Sequence, residues 1–168
     1  MPTCYNKYMN FKAILGLGNN DSKYKNTYHN VGHLMVDFLK EKNIFGKNIP
    51  IIKNDGFMNE SGNSAVKLIK KVGGKPENLL VIHDDSDIAL GEFKLSINRN
   101  SAGHRGVEDI IIKIGSKDFW RLRVGIRPKD ETAKAEEFVL KKIKKEHKEI
   151  LQKVFQEASF ALLNEPSA

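Results

Sequence analysis

The chain has 168 residues, 28 Lys and Arg against 21 Asp and Glu, and a formal charge of +7. With 40% hydrophobic and 29% charged residues it is too apolar for disorder, holds no collagen-like or low-complexity stretch, and is the size of one folded domain spanning residues 1–168. No apolar run approaches the roughly 20 residues that cross a bilayer, residues 1–10 read as a flexible leader without a secretory signal, and the lone Cys4 can form no internal disulfide, all of which points to an intracellular protein.

Lys12–Gly18 is a short apolar run closed by glycines, read as a buried strand entering a tight loop. Val31, Leu34, Met35, Phe38 and Leu39 recur at helical spacing and predict an amphipathic helix. Ile49–Lys53 reads as a second strand, and Ser61 as the cap of a helix carrying Ala65, Val66, Leu68, Ile69 and Val72, stopped by Gly73, Gly74 and Pro76. Leu79–Ile82 is a continuous apolar strand expected to end in a polar cluster, and Glu92–Ile97 alternates as a half-exposed strand.

Val107–Ile114 reads as a helix ended by Gly115, with strand a live alternative because of three successive isoleucines. Phe119–Ile126 alternates apolar residues with Trp, Arg, Arg and Gly, so one face is expected to be buried and the other basic. Ile150 to Leu162 form a long C-terminal helix. This alternation predicts an α/β fold: a three-layer sandwich whose twisted, mixed but mostly parallel sheet has an antiparallel portion near residues 92–126. In such sheets ligands sit beyond the C-terminal ends of the strands, and Asn19, Asn59 and Asp84 all fall in segments that follow one.

The polar clusters narrow the chemistry. Gly16-Leu17-Gly18 lacks the third glycine of a dinucleotide fingerprint, Asp21 standing in its place, and no Gly-Lys-Ser or Gly-Lys-Thr phosphate loop occurs. His29 and His33 are spaced as in zinc peptidases, but Asn30 follows where Glu is required. His83-Asp84-Asp85-Ser86-Asp87 offers three carboxylates that could hold magnesium with a substrate phosphate. No Gly-x-Ser-x-Gly elbow is present. What remains is a histidine paired with a carboxylate, a neutral imidazole taking a proton from water while Asp fixes its tautomer, with His29, His83 and His104 as candidates.

Taken in order, Gly16-Leu17-Gly18-Asn19, Tyr24, Thr27-Tyr28-His29-Asn30-Val31-Gly32, Phe57-Met58-Asn59-Glu60-Ser61-Gly62, His83-Asp84-Asp85-Ser86-Asp87, Gly103-His104-Arg105-Gly106 and Phe119–Ile126 form a pattern over about residues 12–140. It resembles the bacterial-type peptidyl-tRNA hydrolase family. The resemblance implies a monomeric, cytoplasmic esterase, mitochondrial import being left open, that cuts the bond between peptide and tRNA without metal or cofactor. It implies His29 as base, Asp84 as its orienting carboxylate, and Asn19 and Asn59 as amides beside the scissile ester. Tyr24, Met58, Asn30, His104 and Arg105 are implied to line the substrate site. The partner is then peptidyl-tRNA, met at its acceptor stem and CCA end, with Lys94, Arg99, Arg121, Arg123 and Arg127 as candidate phosphate contacts.

Three features depart from the family pattern. Arg105 stands where an Asn is usual after the His of Gly-His-Asn-Gly, Asn19-Asn20-Asp21 replaces Asn-Pro-Gly, and about two extra residues sit at Asn98-Arg99-Asn100. An amide both donates and accepts, whereas a guanidinium only donates and carries a fixed charge, so Arg105 either meets a tRNA phosphate or slows turnover. The rival readings are a non-catalytic, splicing-factor-like RNA-binding relative and a metal-dependent phosphoesterase.

Overall fold

A computed structural model describes residues 9–164, so most of the expected 1–10 leader lies outside the described residues. Five strands form one sheet in the order β2-β1-β3-β5-β4. They are β1 (Ala13–Gly16), β2 (Ile51–Lys53), β3 (Leu79–Ala89), β4 (Phe93–Ser96) and β5 (Trp120–Arg127). β1 pairs in parallel with β2 and β3, β3 in parallel with β5, and β4 closes one edge antiparallel to β5. The helices are α1 (Val31–Glu41), α2 (Ser61–Lys71), α3 (Arg105–Ile114), a single turn α4 (Ala135–Phe138) and α5 (Lys145–Leu163).

The sheet divides the core in two, as the sequence pattern predicts for an α/β sandwich. On one face Ile14, Leu80, Ile82, Leu122 and Val124 pack against Val31, Met35 and Leu39 of α1 and Val154, Phe155 and Ala158 of α5. On the other, Leu15, Leu79, Val81 and Phe119 meet Ala65 and Leu68 of α2 and Val107 and Ile110 of α3. The three isoleucines near residue 112 resolve as helix. His104 caps α3 by accepting from the Val107 N–H, and Gly115 ends it at φ 73°, a left-handed conformation that glycine takes without a Cβ clash.

Three expectations are corrected. β3 does not stop at Ile82 but runs on through His83, Asp84 and Asp85, which pair with Arg123, Val124 and Gly125 of β5. The polar cluster is thus strand, its buried Asp84 and Asp85 carboxylates being paired with His29, His104 and Arg123. Ser61 is not a cap: it is the first residue of α2, and its Oγ donates to the Met58 carbonyl at 2.6 Å within the 3-10 turn Met58–Glu60. The basic face of β5 is not solvated, since Arg121 and Arg123 are both buried.

Candidate active site

The site lies at the C-terminal ends of β1 and β3, where α1 begins. Gly32 sets that approach: a Cβ there would lie 2.4 Å from the Ile82 carbonyl oxygen and 2.5 Å from that of Leu17. Only glycine lets the helix start press directly onto the two strands. His29 sits in the 3-10 turn Tyr28–Asn30 just before α1, and strand alternation directs Asp84 to the same face as Leu80 and Ile82.

The two meet. His29 Nδ1 lies 3.0 Å from Asp84 Oδ1 and 2.9 Å from Oδ2, so its N–H is donated across both oxygens and Nε2 keeps its lone pair. His104 Nε2 lies 3.0 Å from Asp84 Oδ1, and the His104 Nδ1 accepts the Val107 N–H at 3.3 Å, which assigns the His104 proton to Nε2. The buried Asp84 carboxylate thus collects two imidazole N–H donors.

Burial disfavours the charged form of His29, but the adjacent Asp84 carboxylate outweighs it, so the imidazole pKa is raised above its ordinary value, with Arg105 pulling the other way. For Asp84 burial pushes upward, yet His29 and His104 hold the carboxyl well below the usual range. His83 is driven well below the imidazole value by burial and by neighbouring His104. Its Nδ1 donates to the Asp84 carbonyl at 2.7 Å, and its Nε2 has no partner among the described residues.

Two asparagines hold the loop that follows β1. Asn30 Oδ1 accepts from the Asn19 N–H at 2.8 Å, and its Nδ2 donates to the Asn19 carbonyl at 2.9 Å. Asn54 does the same for Gly18, at 2.8 and 2.9 Å, and its Oδ1 also lies 2.8 Å from His33 Nε2. Each side-chain amide imitates one pairing of a β-ladder. So anchored, Asn19 Oδ1 accepts from the Met58 N–H at 2.6 Å, joining the loop to the turn that bears Asn59.

The remaining candidates divide. Asn59 is exposed on its turn, Tyr24 is partly buried in the turn Ser22–Tyr24, and Met58 is buried in the core with its sulfur over Gly106. Asn30 is buried, and each end of its amide bonds to the Asn19 backbone. Arg105, the first residue of α3, is exposed, and its side chain has no hydrogen bond or ion pair among the described residues.

Lys94 and Arg99 are exposed, whereas the other three cations are engaged within the fold. Arg123 Nε donates to Asp85 Oδ2 at 2.8 Å, and Arg127 donates to three backbone carbonyls. Arg121 is buried beside Arg123 and Arg99, which lowers its pKa to about 10, and it gives its Nη1 to the Asn100 carbonyl at 3.0 Å.

Of the three carboxylates in residues 83–87, Asp84 turns to the two histidines and Asp85 to Arg123. His29, Asp84 and His104 present potential ligand atoms within 4.8 Å of one another. The His104 proton at Nε2, however, suits a hydrogen bond to the carboxylate rather than coordination. His33, whose pKa burial lowers, faces Asn54, so the zinc-peptidase spacing with His29 brings no shared site. The sequence reading missed Asn54: a side chain that mimics backbone pairing leaves no periodic or motif signal.

The family model described as peptidyl-tRNA hydrolase matches residues 13–165. A peptidyl-tRNA hydrolase of Thermodesulfovibrio yellowstonii is 40% identical over 164 residues, covering 87% of each chain. One of Sulfurihydrogenibium sp. is 37% identical over 169 residues, covering 91% of this chain and 89% of the relative. The crystal structure of peptidyl-tRNA hydrolase from Acinetobacter baumannii superposes with a TM-score of 0.80 at 28% identity, over 90% of this chain and 86% of that one.

Proposed function

This chain belongs to the peptidyl-tRNA hydrolase family, and from that premise we propose that it hydrolyses the ester between a peptide and the 3′ ribose of tRNA, with His29 as general base. The observation that carries the reading is the contact of His29 Nδ1 with both oxygens of Asp84, which leaves Nε2 as a directed lone pair on a ring only 14% exposed. A water held at Nε2 loses its proton to the ring as its oxygen attacks the ester carbonyl. The imidazolium that forms is stabilised by Asp84, and it returns the proton to the departing ribose oxygen. The ester has a competent leaving group, so one base supplying about 10² to 10⁴ in rate, with orientation for the rest, suffices.

Asn19 and Asn59 flank this centre in the reading, presenting amides that pair with a peptide group. Asn19 Oδ1 is already taken by Met58, so Nδ2 is the group it offers. An aminoacyl-tRNA would instead bring an ammonium, which an amide N–H does not accept and which the Arg105 charge repels. Tyr24 shapes the rim. Lys94 and Arg99, both exposed, serve the phosphates of the acceptor stem and CCA end. The protein acts as a monomer in the cytoplasm in this reading; among the described residues no helix is long and apolar enough to cross a membrane.

The test is cleavage of peptidyl-tRNA by the wild type and His29→Ala, each with and without chelator. Activity that survives chelation and is lost in the variant supports the reading. Chelator-sensitive activity favours a metal phosphoesterase, and tRNA binding without turnover favours a binding module.

A further inference from the structure

The turn bearing His29 is held from behind by residues 139–143. His29 N–H donates to the Val139 carbonyl at 2.8 Å and Tyr28 N–H to that of Lys141 at 3.2 Å, Ile143 N–H donates to the Asn26 carbonyl at 2.8 Å, and Thr27 bridges antiparallel to Lys142. The catalytic turn is in effect the partner of a short ribbon that arrives after β5.

One side chain fixes how that ribbon arrives. Arg127, the last residue of β5, donates Nε to the Ser86 carbonyl at 2.9 Å and Nη1 to those of Glu131 and Ala133 at 3.3 and 3.1 Å. Its guanidinium lies 5.6 Å from the centre of the Phe138 ring, which stacks on Tyr28 with centroids 4.4 Å apart and planes 29° from parallel. Ser86 is two residues beyond Asp84 on β3, and Tyr28 immediately precedes His29. A single guanidinium therefore touches the strand that presents the carboxylate and the layer that seats the imidazole. Its planar fork reaches several carbonyls at fixed angles, which an ammonium on a flexible stem does not reproduce.

We propose that Arg127 is a positioning residue for the hydrolysis, setting the separation between the His29 turn and the Asp84 strand, and that it does not bind RNA. The proposal rests on His29 being the base. Reaction geometry is steep: a misplacement of about 1 Å from a change remote from the chemistry can cost about 100-fold in rate.

The experiment is steady-state cleavage of peptidyl-tRNA by Arg127→Lys, Arg127→Met and Phe138→Leu, at low and high salt and across pH. Thermal melts accompany it, and proton NMR follows the low-field His29 ring N–H, assigned by its absence in His29→Ala. Expected is a kcat lower by about 10- to 100-fold, with KM and its salt dependence unchanged. Arg127→Lys should be intermediate, and the acid limb of the rate profile and the N–H resonance should shift together.

A raised KM with a weaker salt dependence and unchanged kcat would overturn the proposal in favour of an RNA contact. Wild-type kinetics in all three variants would overturn it outright. If Arg127→Met does not fold, Phe138→Leu, which cuts the same link and leaves the guanidinium in place, decides alone. Loss of activity in His29→Ala with wild-type rates at Arg127 removes only the positioning role. Activity retained in His29→Ala removes the base and the positioning role together.

Discussion

Replacing Asp84 by Asn keeps the shape of the side chain and removes its charge. In the wild type, burial and the Arg105 charge both act against protonated His29, and only Asp84 acts for it. Opposite charges about 4 Å apart attract by about 4 kcal/mol at an effective dielectric near 20, and a charge-assisted hydrogen bond is worth about 1.5 to 3 kcal/mol net. At 1.36 kcal/mol per tenfold in rate, losing the stabilisation of the nascent imidazolium should lower kcat by about 10² to 10³. The Asn amide can also donate to Nδ1 and turn the tautomer so that Nε2 carries the proton, which acts in the same direction.

The sign of the pH effect follows from the same balance. A base must be neutral, so wild-type activity climbs as pH rises through a His29 pKa that lies above the ordinary imidazole value of about 6.5. In Asp84→Asn the two downward influences stand alone, and the midpoint of kcat/KM should move below that value even as the plateau falls. The assay is kcat/KM for a peptidyl-tRNA from about pH 5 to 8.5, where an unperturbed imidazole near 6.5 would titrate fully. A lowered plateau with an unmoved or raised midpoint would refute the account of how the imidazole is prepared.

Arg105→Asn should move the midpoint the other way, upward, because a charge that opposes the imidazolium is gone, and it should raise hydrolysis of aminoacyl-tRNA relative to peptidyl-tRNA; paired assays on the two substrates read both effects. Asn30→Ala strips two hydrogen bonds from the Asn19 backbone, at a cost of about 2 to 4 kcal/mol. This should read as a melting temperature lower by about 5 to 15 °C. Lys94→Ala and Arg99→Ala should each flatten the plot of log KM against log salt by about 0.7 to 0.9 for every phosphate no longer neutralised. Arg123→Gln, which breaks an ion pair with Asp85, should lower stability without that change in slope.

Elements whose two faces differ were legible in the sequence. Val31, Met35 and Leu39 lie at the spacing that buries one face of α1, and Gly115 decided for helix where isoleucines suggested strand. Order and spacing could not show what partners do to polar residues. His83-Asp84-Asp85 reads as the end of a strand because charges are seldom buried, yet here Asp85 has Arg123 and Asp84 has two imidazoles. The alternating arginines of β5 read as a basic face set against a buried one for the same reason, yet Arg121 finds the Asn100 carbonyl and Arg123 finds Asp85. The motif residues around His29 could be singled out in sequence, but the ribbon at 139–143 that holds their turn lies more than 100 positions away and carries no motif, because its contribution is made by backbone groups.

A buried carboxylate facing two neutral imidazoles is not the pairing that stabilises a fold most, since burial by itself works to neutralise it. The arrangement becomes intelligible when followed along the reaction. In the proposed reaction Asp84 has only N–H dipoles to hold it before the proton moves; once His29 takes the proton from water, the same contact joins opposite full charges in a buried site. The attraction therefore grows toward the transition state, and that growth, rather than its strength at rest, lowers the barrier. His104 has a separate role: its Nε2–H keeps Asp84 Oδ1 satisfied and ionised while its Nδ1 remains tied to the start of α3. A substitution at His104 that keeps the donor to Asp84, such as His104→Gln, should accordingly retain far more activity than His104→Ala, and equal loss in the two would mean that the ring does something other than hold the carboxylate.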